Sequence, residues 1–127
     1  MNQKGQALII LIVVTSVALT ILTAGIMAAT TLAKSSLKSD LGKQVYFSAE
    51  GGIEYGILQL MRNPSGCSGN QSYTQNSVTI NINYTVSGPD CVIESVATKN
   101  STSKKIQATG SYNSSNIFQV CCWKEIP

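Results

Sequence analysis

No residue between Gly5 and Ala33 carries a charge. Positions 6–33 read QALIILIVVTSVALTILTAGIMAATTLA. As a helix this segment would rise about 42 Å, more than the ~30 Å hydrocarbon core of a bilayer requires. It contains no proline, and Gly25 is its one interior glycine and softest point. Thr15, Ser16, Thr20, Thr23, Thr30 and Thr31 interrupt it. In a helix such hydroxyls bond back to carbonyls of the preceding turn, and they favour helix–helix contact over a purely lipid-facing role. A chain with this segment must place it in a membrane or bury it among other helices.

The helical pattern continues past Lys34. Leu37, Leu41, Val45, Ala49, Ile53 and Ile57 follow at steps of four, with Leu60 three further on. Each step of four overshoots a full turn by about 40°, so the apolar stripe winds around the helix. Polar residues including Lys38, Asp40, Lys43, Glu50 and Glu54 fill much of the remaining surface. Asn63-Pro64-Ser65-Gly66 is a strong stop. The pattern predicts one helix over 6–62, roughly 85 Å long, which no small domain can bury. Within it Ser48, Gly52 and Gly56 form a ridge of small residues at spacing four. An interior glycine costs about 1 kcal/mol relative to alanine, so the ridge predicts either close approach of a sheet or neighbouring helix, or a kink.

Beyond residue 66 the composition turns to Ser, Asn, Thr and Gly. GCSGNQSYTQN reads as a loop. Val78, Ile80, Ile82, Tyr84 and Val86 then alternate with polar residues as a strand with one buried face. Cys91–Thr98, Lys105–Tyr112 and Asn116–Lys124 read as three further strands joined by short polar turns, hence an antiparallel meander. The expected fold class is α+β: a long N-terminal helix, its first half able to span a membrane, its second half packed on a four-stranded antiparallel sheet. The expected segments are a hydrophobic helix at 6–33, an amphipathic continuation at 34–62 and a β domain at 63–127.

The chemistry-bearing residues are few. Lys and Arg total 9 against 6 Asp and Glu, a net charge of +3, too mild to argue for a nucleic-acid or acidic partner. With no histidine, the commonest general base and metal ligand is missing. Glu50 and Glu54 are ordinary helix neighbours at i and i+4, so no catalytic constellation, metal site or cofactor is expected. The four cysteines, Cys67, Cys91, Cys121 and Cys122, all lie in the second half, which suggests an oxidising compartment. They permit three pairings. Cys67–Cys91 is favoured because Cys91 opens a strand at the end where the Cys67 loop begins. Adjacent Cys121 and Cys122 would point to opposite faces of a regular strand, and a bond between them would be strained. Tyr112, Phe118 and Trp123 are read as core of a small sheet. Lys99, Lys104 and Lys105 cluster near one turn and are read as a solvated edge, with DNA capture the sharper alternative. Asn70, Asn83, Asn100 and Asn113 each open an Asn-x-Ser/Thr triplet, expected by chance in so polar a chain.

Lys4 and Gly5 precede the apolar helix at once, and a β domain follows it. This arrangement resembles the type IV prepilins and the pseudopilins of type II secretion, and Ala49-Glu50-Gly51-Gly52-Ile53-Glu54-Tyr55 is similar to the corresponding stretch of minor pilins of the PilX type. The resemblance implies that residues 1–5 are a leader, removed between Gly5 and Gln6 by a prepilin peptidase that methylates the new terminus. It also implies that an inner-membrane assembly platform moves the helix, through contacts at positions such as Ile10, Thr15, Thr20 and Gly25, from lipid into a filament of like subunits. Two positions depart from the family. Gln6 replaces the usual Phe, and Ile10 replaces the glutamate thought to meet the terminus of the preceding subunit. A carboxylate in an apolar bundle is costly unless paired. A subunit without one therefore suits a tip or initiation position, where no preceding neighbour needs it; the alternative is a major pilin built without it.

The expected location is the cytoplasmic membrane, single-pass with the β domain outside, and after assembly an extracellular pilus or periplasmic pseudopilus. Lys34, Lys38 and Lys43 after the helix outnumber Lys4 before it and by charge alone would place the β domain inside. Two other classes compete: a secreted binding domain cut after Ala33, and a permanently anchored protein that never polymerises. The first would need an apolar core far longer than the 7–15 residues of a signal peptide.

Overall fold

A computed structural model describes the backbone from Gln3 and the side chains from Gly5 to Pro127. Met1, Asn2 and the Lys4 side chain of the expected leader lie outside the described residues. The elements are one helix, α1 (Gln3–Arg62), followed by β1 (Gly69–Gln75), β2 (Val78–Ser87), β3 (Asp90–Lys99), β4 (Thr102–Tyr112) and β5 (Phe118–Ile126). The chain divides into two compact units, one ending at Lys38 and the other spanning Ser39–Pro127. Among the described residues the first is helix alone. The second holds the rest of α1 and the whole sheet.

The sheet is antiparallel with the strands in sequence order. It has five strands, not the four expected. The additional one is β1, cut from the segment read as a loop. Its sequence, GNQSYTQ, has no apolar alternation because it buries neither face; Tyr73 alone is half-buried. What holds it is main chain, the ladder from Gly69 opposite Tyr84 to Gln75 opposite Val78. Asn76 and Ser77 both have positive φ, 51° and 63°, the geometry of the two-residue hairpin turn whose twist matches that of its strands.

The core forms where the alternation of the inner strands meets the helical stripe. Val78, Ile80, Ile82 and Tyr84 of β2, Cys91, Ile93 and Ala97 of β3, and Ile106 and Ala108 of β4 are buried with Val45, Ala49, Ile53 and Leu60 of α1, and Leu41 and Ile57 pack at the margin. Leu37, the first residue of the expected stripe, is 70% exposed. The Cys67–Cys91 disulfide joins the segment after α1 to the start of β3, with Cα atoms 5.9 Å apart. Closing a loop of this length stabilises the fold by roughly 3.5 kcal/mol in the chain-entropy account.

The expected orientation of Cys121 and Cys122 is corrected. On β5, Phe118 stands opposite Tyr112 and Val120 opposite Gly110, whereas Cys122 stands opposite Thr109 and Trp123 opposite Ala108. Cys121 has no register partner, and the register shifts between Thr109 and Gly110. The extra residue of this β-bulge reverses the alternation. Phe118 and Val120 share the helix-covered face before it and Trp123 after it, so Cys121 and Cys122 lie together on the opposite face. Their sulfurs are 2.6 Å apart.

Candidate functional site

The apolar segment of α1 meets no other part of its own unit. Every Leu, Ile, Val and Met side chain from Leu8 to Leu32 is between 51% and 71% exposed. This is the one helix among the described residues long and apolar enough to cross a membrane. Its hydroxyls are already satisfied. Thr15 donates to the Leu11 carbonyl at 2.9 Å and Thr20 to that of Val17 at 2.7 Å. Ser16, Thr23, Thr30 and Thr31 make the same bond to carbonyls three or four residues back. The segment therefore presents methyl groups outward and leaves no hydroxyl that needs water. Ile10 is 57% exposed and Gln6 is exposed too. Nothing lies within 4 Å of a Cβ built on Gly5 or Gly25.

The second half of α1 uses small residues in the opposite way. A Cβ on Gly52 would overlap Ser95 Oγ and stand 2.8 Å from Ile80 Cγ2. One on Gly56 would stand 2.9 Å from Ile93 Cγ2. These two glycines let the helix backbone settle on β2 and β3. Ser48, the third member of the ridge, is half-exposed and donates to the Gln44 carbonyl instead. The close approach leaves two polar atoms buried without a protein partner, Ser95 Oγ and the Tyr84 hydroxyl. Burial raises the Tyr84 pKa above the ordinary phenol value, with Tyr55 and then Tyr73 adding to the effect. Tyr73 is raised by burial and by Tyr55. Tyr112, also raised by burial, donates its hydroxyl to the Leu60 carbonyl at 3.3 Å, tying β4 to the end of α1.

The remaining residues fall into separate places. Lys99 donates to Gln44 Oε1 at 3.0 Å and to the Asn76 carbonyl at 3.2 Å. Lys104 pairs with Glu125 and Lys105 with Glu94. By register, Lys104 and Lys105 lie on opposite faces of the sheet, so the three lysines do not make one cationic patch. Phe118 is buried against Tyr112, ring centroids 5.3 Å apart, but Trp123 is 41% exposed rather than core. The hydrogen bond with Cys122 raises the Cys121 pKa. No group of three His, Cys, Asp or Glu side chains among the described residues is placed to hold a metal.

Sequence reasoning missed one surface. On the sheet face away from α1, Asn70, Asn83, Glu94, Gln107 and Lys124 stand in register across all five strands. Part of this row, with Ser72 and Asn81, lines a shallow hollow of about 400 Å³. The outward Asn residues of β2 signalled a polar face, but their partners depend on a strand that the sequence did not announce.

A scan against protein-family models and searches of curated proteins and solved structures find no match to this chain.

Proposed function

We propose that this chain is a subunit of a type IV pilus or of a type II secretion pseudopilus, serving at the tip or in initiation after cleavage between Gly5 and Gln6. One observation carries the reading: the whole apolar run from Leu8 to Leu32 is exposed, while Ser39–Pro127 has a core of its own. An apolar helix left bare within its own unit is covered by lipid or by other chains. Here it is covered by each in turn. In the cytoplasmic membrane, lipid surrounds it and the β unit lies outside; in the filament, the helices of other subunits replace the lipid.

That exchange is nearly neutral per unit area, because lipid tails and aliphatic side chains are alike. The direction is then set by close packing and by an assembly platform that does work on the subunit. The inward hydrogen bonds of Thr15 and Thr20 support this, since neither hydroxyl has to be desolvated at the transfer. Ile10 offers no carboxylate for a preceding subunit, which favours the first position in a filament. The β unit, closed by its disulfide, carries the surface the filament shows to its surroundings.

The test is N-terminal sequencing and intact mass of the native protein. A chain beginning with methylated Gln6 is expected. A start at Lys34 would replace this reading with a secreted domain, and an uncut Met1 would replace it with a permanent anchor.

A further inference from the structure

Among the described residues the vicinal cysteines are a nucleophilic cluster that this reading does not use. Cys67 and Cys91 are bonded to each other, while Cys121 and Cys122 are both free and exposed. Neighbouring residues of a regular strand point to opposite faces, and two such thiols could not meet. The bulge removes that obstacle by adding one unpaired residue, Cys121, opposite the Thr109/Gly110 step. Gly110 is what admits it. A Cβ there would stand 2.5 Å from the Gln119 carbonyl oxygen and 2.6 Å from Phe118 Cζ, so only glycine lets β5 run this close as it enters the bulge. Both thiols consequently lie on the uncovered face, sulfur to sulfur at 2.6 Å, open to a reagent from solvent.

We infer that Cys121 and Cys122 form a dithiol site for thiol–disulfide exchange, which takes a disulfide of the class R–S–S–R as its oxidant and closes to a vicinal disulfide. One protein thiolate attacks R–S–S–R, forming a mixed disulfide and expelling RS⁻. The second protein thiolate attacks the protein sulfur of that mixed disulfide, forms the Sγ–Sγ bond and expels the second RS⁻. Two electrons pass to R–S–S–R, the two thiol protons go to the two RS⁻ groups, and the products are the vicinal disulfide and two RSH. The second step is intramolecular between groups already in contact, so it outruns capture by a second oxidant molecule or a second chain. The closed ring is reversible. Adjacent Cα atoms are about 3.8 Å apart, less than the ~4.4–6.8 Å usual across a disulfide, whereas Cys67 and Cys91 are 5.9 Å apart, within that range. Strained, exposed disulfides are the readily reduced ones.

This inference is independent of the pilus reading, because it rests on β4 and β5 alone. The full chain in detergent is treated with oxidised glutathione, excess thiol is alkylated, and the products are read by intact mass and peptide mapping. The peptide holding Cys121 and Cys122 is expected to lose two hydrogens and keep no glutathione. C121S and C122S, each changing an exposed side chain, are expected to keep one glutathione on the remaining cysteine. A wild-type product that retains glutathione at either position, or that links two chains through them, overturns the proposal. A second readout needs no variant: on titration with a reducing dithiol, Cys121–Cys122 is expected to open at a concentration at least about tenfold below that which opens Cys67–Cys91, and the reverse order also overturns it.

Discussion

The two halves of α1 differ in composition and end in circumstances opposite to those their composition suggests. From Leu8 to Leu32 the helix is more apolar, yet every large side chain is exposed. From Leu41 to Leu60 it is more polar, yet Val45, Ala49, Ile53 and Leu60 are fully buried or nearly so. Burial does not follow hydropathy here, because what decides it is whether the chain supplies a surface to pack against. Gly52 and Gly56 meet the sheet at contact distance, whereas Gly25 has open space around it. The hydroxyls differ in part, since Ser48 in the packed half also donates to its own helix. Those of Thr15, Ser16 and Thr20 bond to their own helix, while those of Ser95 and Tyr84, trapped in the packed unit, have no protein partner. One half is prepared for an apolar medium it does not itself contain; the other has made its own.

The sharpest way to break this contrast is to delete methyl groups in each half. Ile53→Ala is expected to cost about 2–5 kcal/mol of the stability of the β unit, since a fully buried branched side chain leaves a cavity behind. Ile12→Ala is expected to leave that stability unchanged and to weaken membrane retention instead. Urea unfolding in detergent, followed by the fluorescence of Trp123, the one tryptophan in the chain, measures the first. Flotation with liposomes measures the second. Equal losses in both variants would show that the two halves unfold as one structure.

The disulfide comes next in size. Reducing Cys67–Cys91, or replacing the pair by serine, is expected to lower the urea midpoint by an amount corresponding to roughly 3.5 kcal/mol. The helicity of the apolar half, read by circular dichroism, should not move.

Glycine substitutions separate the halves more finely. Gly52→Ala is expected to cost about 1–3 kcal/mol, because its methyl group would overlap Ser95 and crowd Ile80. Gly25→Ala, in open space, is expected to stabilise the helix by up to about 1 kcal/mol. Adding Ser95→Gly to Gly52→Ala should recover part of the loss, and a double-mutant cycle measures that coupling.

How much of this was legible depends on whether a residue acts through its own chain neighbours or through distant ones. The apolar run, the steps of four from Leu41 onward and the alternation of β2 are local periods, and they announced the helix and the inner strands directly. The sheet-facing role of Gly52 and Gly56 was legible as a question, since glycines in a helix need a reason, and Ser95 and Ile93 supply it. β1 was illegible because an edge strand with both faces wet has no period to show, and its main-chain ladder leaves no mark on side-chain choice. The bulge at Cys121 left one sign, Gly110 inside an otherwise alternating strand. It could be interpreted only once β5 was set beside β4. That same shift of one residue turns Trp123 to the helix side of the sheet, where on an edge strand it stays 41% exposed.

The smallest expected effect concerns the unpartnered hydroxyls, where the packed half departs from the apolar half. Tyr84 is buried, and its hydroxyl has no protein partner. Removing an unpaired buried polar group relieves its desolvation cost, so Tyr84→Phe is expected to gain about 1 kcal/mol at neutral pH. Thr20→Val, which removes a satisfied and exposed hydroxyl, should not change the stability of the β unit. The alkaline limb sharpens the test. Burial and the neighbouring Tyr55 and Tyr73 raise the Tyr84 pKa in the folded chain. A group with its folded pKa raised contributes stability that is fully present below its unfolded pKa, about 10 for a tyrosine, and that is lost as pH rises through the folded value. Wild-type stability should therefore fall as pH climbs past about 10, and Tyr84→Phe should flatten that fall, though not abolish it, because Tyr73 and Tyr112 are raised as well. Parallel curves for the two proteins would mean that the Tyr84 hydroxyl ionises as freely in the fold as in the unfolded chain.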